Sequence, residues 1–440
     1  MICALLLAVT VPTWVAVLGV IALVLIAAYM LAGIFGPSPD YKIESGNELA
    51  ANGSDAFLSL LQSLVDAPLS RTGTFEVLAN GPSFYPAQFE AIRSARHSVN
   101  LEAYIFQRSG IGKLYLDALT DRARAGVRVN VVLDAFGSAG VSKRYFSPLL
   151  DSGGKVAFYN SPTWYRALLL DHRTHRELLI VDGRTGFIGG AGIADQWFKG
   201  VRNHPVWRDT MLRVEGGAVP SLQSTFAENW LAATGELLAG SAYFPGFDCQ
   251  TSCPDPTHAL VVNSTPTIGG STRARVLFQL LLASAKQSIS ITTPYFLPDR
   301  SLSHELCRAI EERHVKVRIL VPGRKSDHML TRSTSRSAYG PLLKSGAEVY
   351  EYQPAMIHAK VLVVDRLWTV VGSTNFDNRS FGLNDEVNLA VRDASLAQRM
   401  ESDLANDLVE SCSVTLEEWR RRSLAERVPE LLGWIFERQQ

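Results

Sequence analysis

The chain has 440 residues, 47% of them apolar and 20% charged, with 43 Lys+Arg against 43 Asp+Glu. That length holds two or three domains, and the apolar fraction excludes a largely disordered chain. The charge balance argues against a broadly basic nucleic-acid binder, and five cysteines exclude a disulfide scaffold.

The charge is unevenly placed. No charged residue precedes Asp40, and residues 14–35 read WVAVLGVIALVLIAAYMLAGIF. About 20 apolar residues at 1.5 Å each cross a hydrocarbon core of roughly 30 Å. Residues 1–39 are therefore expected to form an N-terminal membrane anchor, with a transmembrane helix over about 14–35. The segment lacks the basic start and short apolar stretch of a signal peptide. Residues 1–13 are too few for a second span, so a single pass is expected.

Gly36-Pro37-Ser38-Pro39 ends the helix and opens a linker, expected over 40–54. A second loop-rich stretch, 241–257, divides the remainder into domains expected over 55–240 and 258–425, with an amphipathic tail at 426–440 carrying Trp434, Ile435 and Phe436. The two domains repeat one pattern. Each opens on a strand-like run (VNLEAYIF, SISITTPYF), continues into a helical stretch (114–125, 302–313), then enters a β-branched run (127–133, 315–321). Strand, helix, strand, twice over, predicts a duplicated α/β domain with mostly parallel sheets flanked by helices, arranged as a pseudo-two-fold pair.

The chemistry-bearing residues come later in each copy. The second has His358-Ala359-Lys360, then Asp365, then Gly372-Ser373-Thr374-Asn375. The first has His175-Arg176-Glu177, then Asp182, then Gly189-Gly190-Ala191-Gly192. Histidine, aspartate and glycine recur at one offset of 183 residues. Alternation along a strand puts His358 and Lys360 on one face, and Ser373 and Asn375 on the same side of the next strand. An imidazole, an ammonium, a hydroxyl and an amide then converge on one small anion. Asp365 has the opposite parity and sits at the strand end.

At these residues the chain resembles the phospholipase D superfamily, with its two HKD motifs, and most of all bacterial cardiolipin synthases. Trp207-Arg208-Asp209-Thr210, Val321-Pro322-Gly323 and Asn384-Asp385-Glu386 fit that branch. The resemblance implies a membrane-bound phosphatidyltransferase working on phosphatidylglycerol-type phospholipids. Its intermediate is a phosphohistidine, and neither metal nor cofactor takes part. Alternatives are a phosphodiester hydrolase acting on lipid or, less readily, nucleic acid, and a weakened member that only binds lipid. By analogy, His175 is the nucleophile and His358 the general acid/base. Lys360, Ser373 and Asn375 hold phosphate oxygens, while Asp182, Asp365 and Glu386 orient partners. A bacterial cell membrane is the expected location, and oligomeric state is not fixed.

Glu177 stands where the family has lysine, and Gly192 where it has asparagine. A carboxylate beside a phosphate is repulsive, by about 4 kcal/mol at 4 Å and an effective dielectric near 20. Three readings stay open. Arg173 or Arg176 pairs with Glu177, although Arg176 has the wrong parity. Glu177 binds the incoming hydroxyl or keeps His175 protonated. Or the site is weakened. Cys249 and Cys253 form a bridge or stay free, while Asp171, His172, Asp327 and His328 fit solvated loops near the two motifs.

Overall fold

The structure is a computed structural model that describes residues 12–35, 41–44, 49–71, 73–161, 172–201, 204–246, 257–266, 272–327 and 329–422. Cys249, Cys253, Asp171, His328 and the 426–440 tail lie outside the described residues. Seven strands build the first sheet: β1 Gly73–Ala79, β2 Ser98–Ala103, β3 Arg128–Asp134, β4 Lys155–Tyr159, β5 Leu178–Val181, β6 Thr185–Gly189 and β7 Thr210–Gly216. Their order across the sheet is β1-β7-β6-β5-β2-β3-β4. The second half supplies β8 His258–Ser264, β9 Ser288–Thr292, β10 Lys316–Pro322, β11 Glu348–Tyr352, β12 Val361–Val364, β13 Trp368–Gly372 and β14 Asn384–Arg392. They line up as β8-β14-β13-β12-β9-β10-β11, the same order strand for strand. Leu69–Ser70 and Ser411–Val414 extend the two edges of this second sheet.

The duplication is present, but the sheets are mixed. Only β2-β3-β4 and β9-β10-β11 run parallel; the other neighbours are antiparallel. The reason is connection length. A helix, α4 Gly110–Arg124 or α7 Arg300–Glu311, returns the chain to the same end of the sheet between the first two strands of each parallel run. Three-residue turns join β5 to β6 and β12 to β13, and such a turn permits only a hairpin.

Helix starts follow from caps. Ser109, Thr272, Asp299 and Asp393 accept backbone N–H groups at the first turns of α4, α6 (Arg273–Ser284), α7 and α8 (Ala394–Val409). Helices α3 (Gly81–Ser94) and α4 cover the outer face of the first sheet, and α6 and α7 that of the second. The inner faces meet. Ile180, Ile188 and Leu212 of the first sheet share one buried cluster with Val363, Val371 and Leu389 of the second, together with Trp230 of α5 (Val219–Thr234) and Met400 of α8. The halves are therefore fused through apolar surface rather than hinged.

Sequence position misassigns one segment. Residues 55–70, expected at the start of the first domain, pack on the second. Phe57, Leu58, Leu61 and Val65 of α2 (Asp55–Val65) join the core of α6, β9 and Trp368. The Trp368 indole N–H donates to the Asn52 carbonyl at 2.8 Å. The expected linker is also docked there, since Ile43, Leu49 and Ala50 pack on this core. Helix α1, Thr13–Phe35, precedes it. The side chains described in α1, residues 13–15 and 17–25, are exposed on all sides, Trp14 and Leu23 at 67% each. Among the described residues, no helix is long and apolar enough to cross a membrane.

Candidate active site

Each histidine lies in an extended segment just before a strand, His175 ahead of β5 and His358 ahead of β12. Those segments are held by the opposite half. Arg173–Thr174 pairs in parallel with Asn384 and Asp385, and the His175 amide donates to the Asp385 carbonyl at 2.9 Å. In mirror fashion, Ile357 bridges Arg208, and the His358 amide donates to the Arg208 carbonyl at 2.7 Å. The start of β14 and the approach to β7 thus fix the two motifs across the pseudo-two-fold.

The side chains repeat the exchange. His175 Nδ1 lies 3.2 Å from Glu386 Oε1 and 3.1 Å from Asn384 Nδ2, all from the other half. His358 Nδ1 lies 3.1 Å from Asp209 Oδ2, again from the other half. Assigning the Nδ1 proton to the carboxylate leaves Nε2 of each ring for phosphorus. Aromatic walls orient the rings: Tyr104 sits 4.4 Å from His175, and Trp197 and Trp207 sit 5.2 and 5.6 Å from His358, centroid to centroid.

Lys360 is buried, with Nζ 2.9 Å from His358 Nδ1 and 3.3 Å from Nε2. Burial, and next the Lys360 ammonium, push the His358 imidazole below its ordinary value. Burial raises the Asp209 carboxyl, but its bond to His358 and the charges of His358 and Lys360 hold it lower than usual. Burial also lowers Lys360, against the pull of Asp209, Glu386 and Glu177. Ser373 is buried and donates to Glu386, and the Val387 amide donates back to Ser373 at 3.1 Å. Asn375 is buried beside them, with Oδ1 lacking a hydrogen-bond partner.

The structure thus links His175 and Ser373 through Glu386, sets Lys360 against His358, and puts Glu177 and Glu386 in the field of Lys360, with Asn375 buried two residues beyond Ser373. It sets Asp182 and Asp365 apart. Both occupy left-handed turns, φ 53° and 52°, and point at backbone. Asp182 accepts from the amides of Arg96, His97 and Ser98, and Asp365 from those of Lys286, Gln287 and Ser288. The partners that Asp182 and Asp365 orient are therefore backbone amides, not the catalytic side chains with which they were expected to act. Each strand separates its aspartate from its histidine, and the carboxylates clamp the start of β2 or β9.

Arg176 also turns away, as parity requires. Its buried guanidinium reaches the Thr225 carbonyl and Glu228, both at 3.0 Å, while Arg173 stacks over Phe136 at 4.6 Å. Neither arginine takes Glu177. Asp209 and Asn384 were missed as site residues. They occur within stretches that carried the resemblance, but nothing local marks them. The signal was the repeat: the two halves exchange carboxylates, so Asp209 stands to His358 as Glu386 stands to His175.

Gly190, at the position of Ser373 in the repeat, explains how one lysine reaches between the halves. A Cβ there would lie 2.7 Å from Lys360 Cδ and 2.8 Å from Nζ. Gly190→Ser is expected to displace the ammonium and cut kcat by about tenfold to a hundredfold without unfolding the protein. Steady-state kinetics beside a melting curve checks this, and unchanged kcat would refute the packing argument.

A family model described as "Cardiolipin synthase, PLD-like domain" matches residues 89–209 and 279–408. Cardiolipin synthase 1 of Bacillus anthracis is 33% identical over 380 residues, covering 84% of this chain and 73% of its own. The major cardiolipin synthase of Bacillus subtilis is 34% identical over 381 residues, covering 84% and 76%. Phosphatidylserine synthase of Haemophilus influenzae shares the fold, with a TM-score of 0.61 at 17% identity over 84% of this chain and 95% of that one. By these matches, and by two histidine motifs converging across a duplicated α/β fold, the chain belongs to the cardiolipin synthase family of phospholipase D-like proteins.

Proposed function

We propose that the protein moves a phosphatidyl group from a phosphatidylglycerol-type donor to the hydroxyl of a second phospholipid. The carrying observation is the pair of imidazoles, each with Nδ1 on a carboxylate of the opposite half, around Lys360. One imidazole Nε2 bonds to phosphorus as the donor's P–O bond breaks. The other gives its proton to the departing alkoxide, then takes the proton of the acceptor hydroxyl as that oxygen displaces the first imidazole. Lys360, Ser373 and Asn375 hold the phosphate oxygens, where charge-assisted bonds are strongest.

Charge placement favours an order of attack opposite to the one taken by analogy. His358 has an ammonium against its ring and is pushed toward its neutral form, which is the nucleophilic one. That leaves His175, whose Nδ1 faces Glu386 at 3.2 Å, for the acid role. Asp182 and Asp365 act as positioning residues for the strand ends.

Helix α1 anchors the protein in a bacterial cell membrane. The reading rests on the sequence, which is apolar over 14–35 and carries no charge before Asp40.

Incubation of the full-length protein with phosphatidylglycerol labelled in its headgroup and in its acyl chains tests the reading. Cardiolipin and free glycerol in equal amounts are expected. Phosphatidic acid as the main product would replace transferase by hydrolase, and absent turnover would leave a lipid-binding protein.

A further inference from the structure

Resting on the transfer reading above, we infer that Glu177 works as an uncharged carboxylic acid. Its Oε2–H donates a hydrogen bond to the substrate phosphate in place of the lysine hydrogen bond of the family pattern, while Lys360 supplies a cation shared by both half-sites.

Geometry supports this first. Glu177 is 6% exposed and follows His175 by two positions on the same side of the extended segment. Its Oε1 accepts from the amides of Tyr104 at 3.1 Å and Ile105 at 3.4 Å. With both amides on one oxygen, Oε2 is left to carry the proton and to meet a ligand. Two glycines complete the arrangement. A Cβ at Gly192 would lie 2.7 Å from Ile105 Cβ and 3.3 Å from Glu177 Oε1, and one at Gly190 would strike Lys360. Glu177, Gly190 and Gly192 therefore act as one unit: the absence of side chains at 190 and 192 leaves the space that Lys360 and Glu177 occupy.

Charge supports it second. The groups facing Glu177 are Lys360 from the second half, and Asp209, Tyr85, Tyr104 and Tyr115 from the first. Asp209 already carries the negative charge that His358 needs. A second anion would repel both it and the phosphate. Burial pushes the Glu177 carboxyl well above its usual range, outweighing the two amides and Lys360. In this form the residue adds a donor and no charge.

The test compares Glu177→Gln, Glu177→Ala and Glu177→Lys in the full-length protein. Glutamine keeps an acceptor for the amides and an N–H donor, so its kcat at neutral pH is expected within about threefold of wild type, and alanine about 100-fold below it. Wild-type turnover falls as pH rises through the Glu177 pKa, because the acid form is the working one, and the glutamine variant lacks that fall. Lysine crowds a second ammonium against Lys360 and lowers kcat at least tenfold, about 1.4 kcal/mol. Infrared difference spectra of wild type minus Glu177→Gln, without substrate, show a protonated-carboxyl band at neutral pH. Glu102, pushed up by burial to about 7, contributes equally to both spectra and cancels. Carboxylate bands in that difference, glutamine as slow as alanine, or a faster lysine variant would each overturn the inference. A wild type that makes no cardiolipin sinks the transfer reading instead, and leaves the infrared result to judge the acid alone.

Discussion

Replacing either histidine by alanine is expected to lower phosphatidyl transfer by at least about 1,000-fold, the two losses differing in the step they stop. Without His358 no bond to phosphorus forms, so acid-labile label from the donor never appears on the protein. Without His175 the bond still forms when the donor carries a good leaving group, such as a nitrophenol, that needs no proton. The label then accumulates, because nothing activates the acceptor. Rapid quench with labelled donor separates the two. A labelled His358→Ala beside an unlabelled His175→Ala would reverse the proposed roles. The acid side of the labelling rate gives a second check. His358 is depressed by burial and Lys360, and it attacks when neutral, so the rate holds up below the pH at which an ordinary histidine protonates.

Asp365→Ala should leave the chemistry and remove stability. The carboxylate accepts three amides at 2.7–2.9 Å and the Asn52 side chain at 2.7 Å. It also sits at a positive φ of 52°, which alanine tolerates poorly. A loss of about 3 kcal/mol follows, allowing for water to reach the two exposed amides. For a domain of this size that is a drop of about 6–12 °C in melting temperature. Activity per folded molecule at low temperature should match wild type. A catalytic defect with an unchanged melting curve would instead restore Asp365 to the site.

Much of this architecture was legible in the residues. The duplication, the strand–helix–strand order and the shared offset of the two motifs all appear as written, because each follows from short-range pattern. Parallel against antiparallel was misread because the rule linking alternating strands and helices to parallel sheets ignores the hairpins that close each half. Residues 55–70 were misplaced because chain order is a poor guide once an amphipathic helix has two sheets to choose between. Within the site, parity placed His175 with Glu177 and turned Arg176 away. The carboxylate partners were harder. Asp209 serves a histidine 149 residues later and Glu386 one 211 residues earlier, and no local periodicity records such a pairing.

The docking of residues 41–70 on the second domain also sets a distance. The Tyr41 amide donates to Ser301 at 2.8 Å at the start of α7, and Arg275 stacks over the Tyr41 ring at 4.6 Å. Just before α7, Phe296–Leu297 pairs with Phe376–Asp377, directly after Ser373 and Asn375. From Phe35 to Tyr41 is six residues, a tether of at most about 20 Å. On the anchoring proposed for α1, that tether would moor the second domain, and with it the residues proposed to hold phosphate, near the headgroup layer. On that proposal a phospholipid would need to rise only a short way, its acyl chains still in the membrane, for its phosphate to meet the two imidazoles.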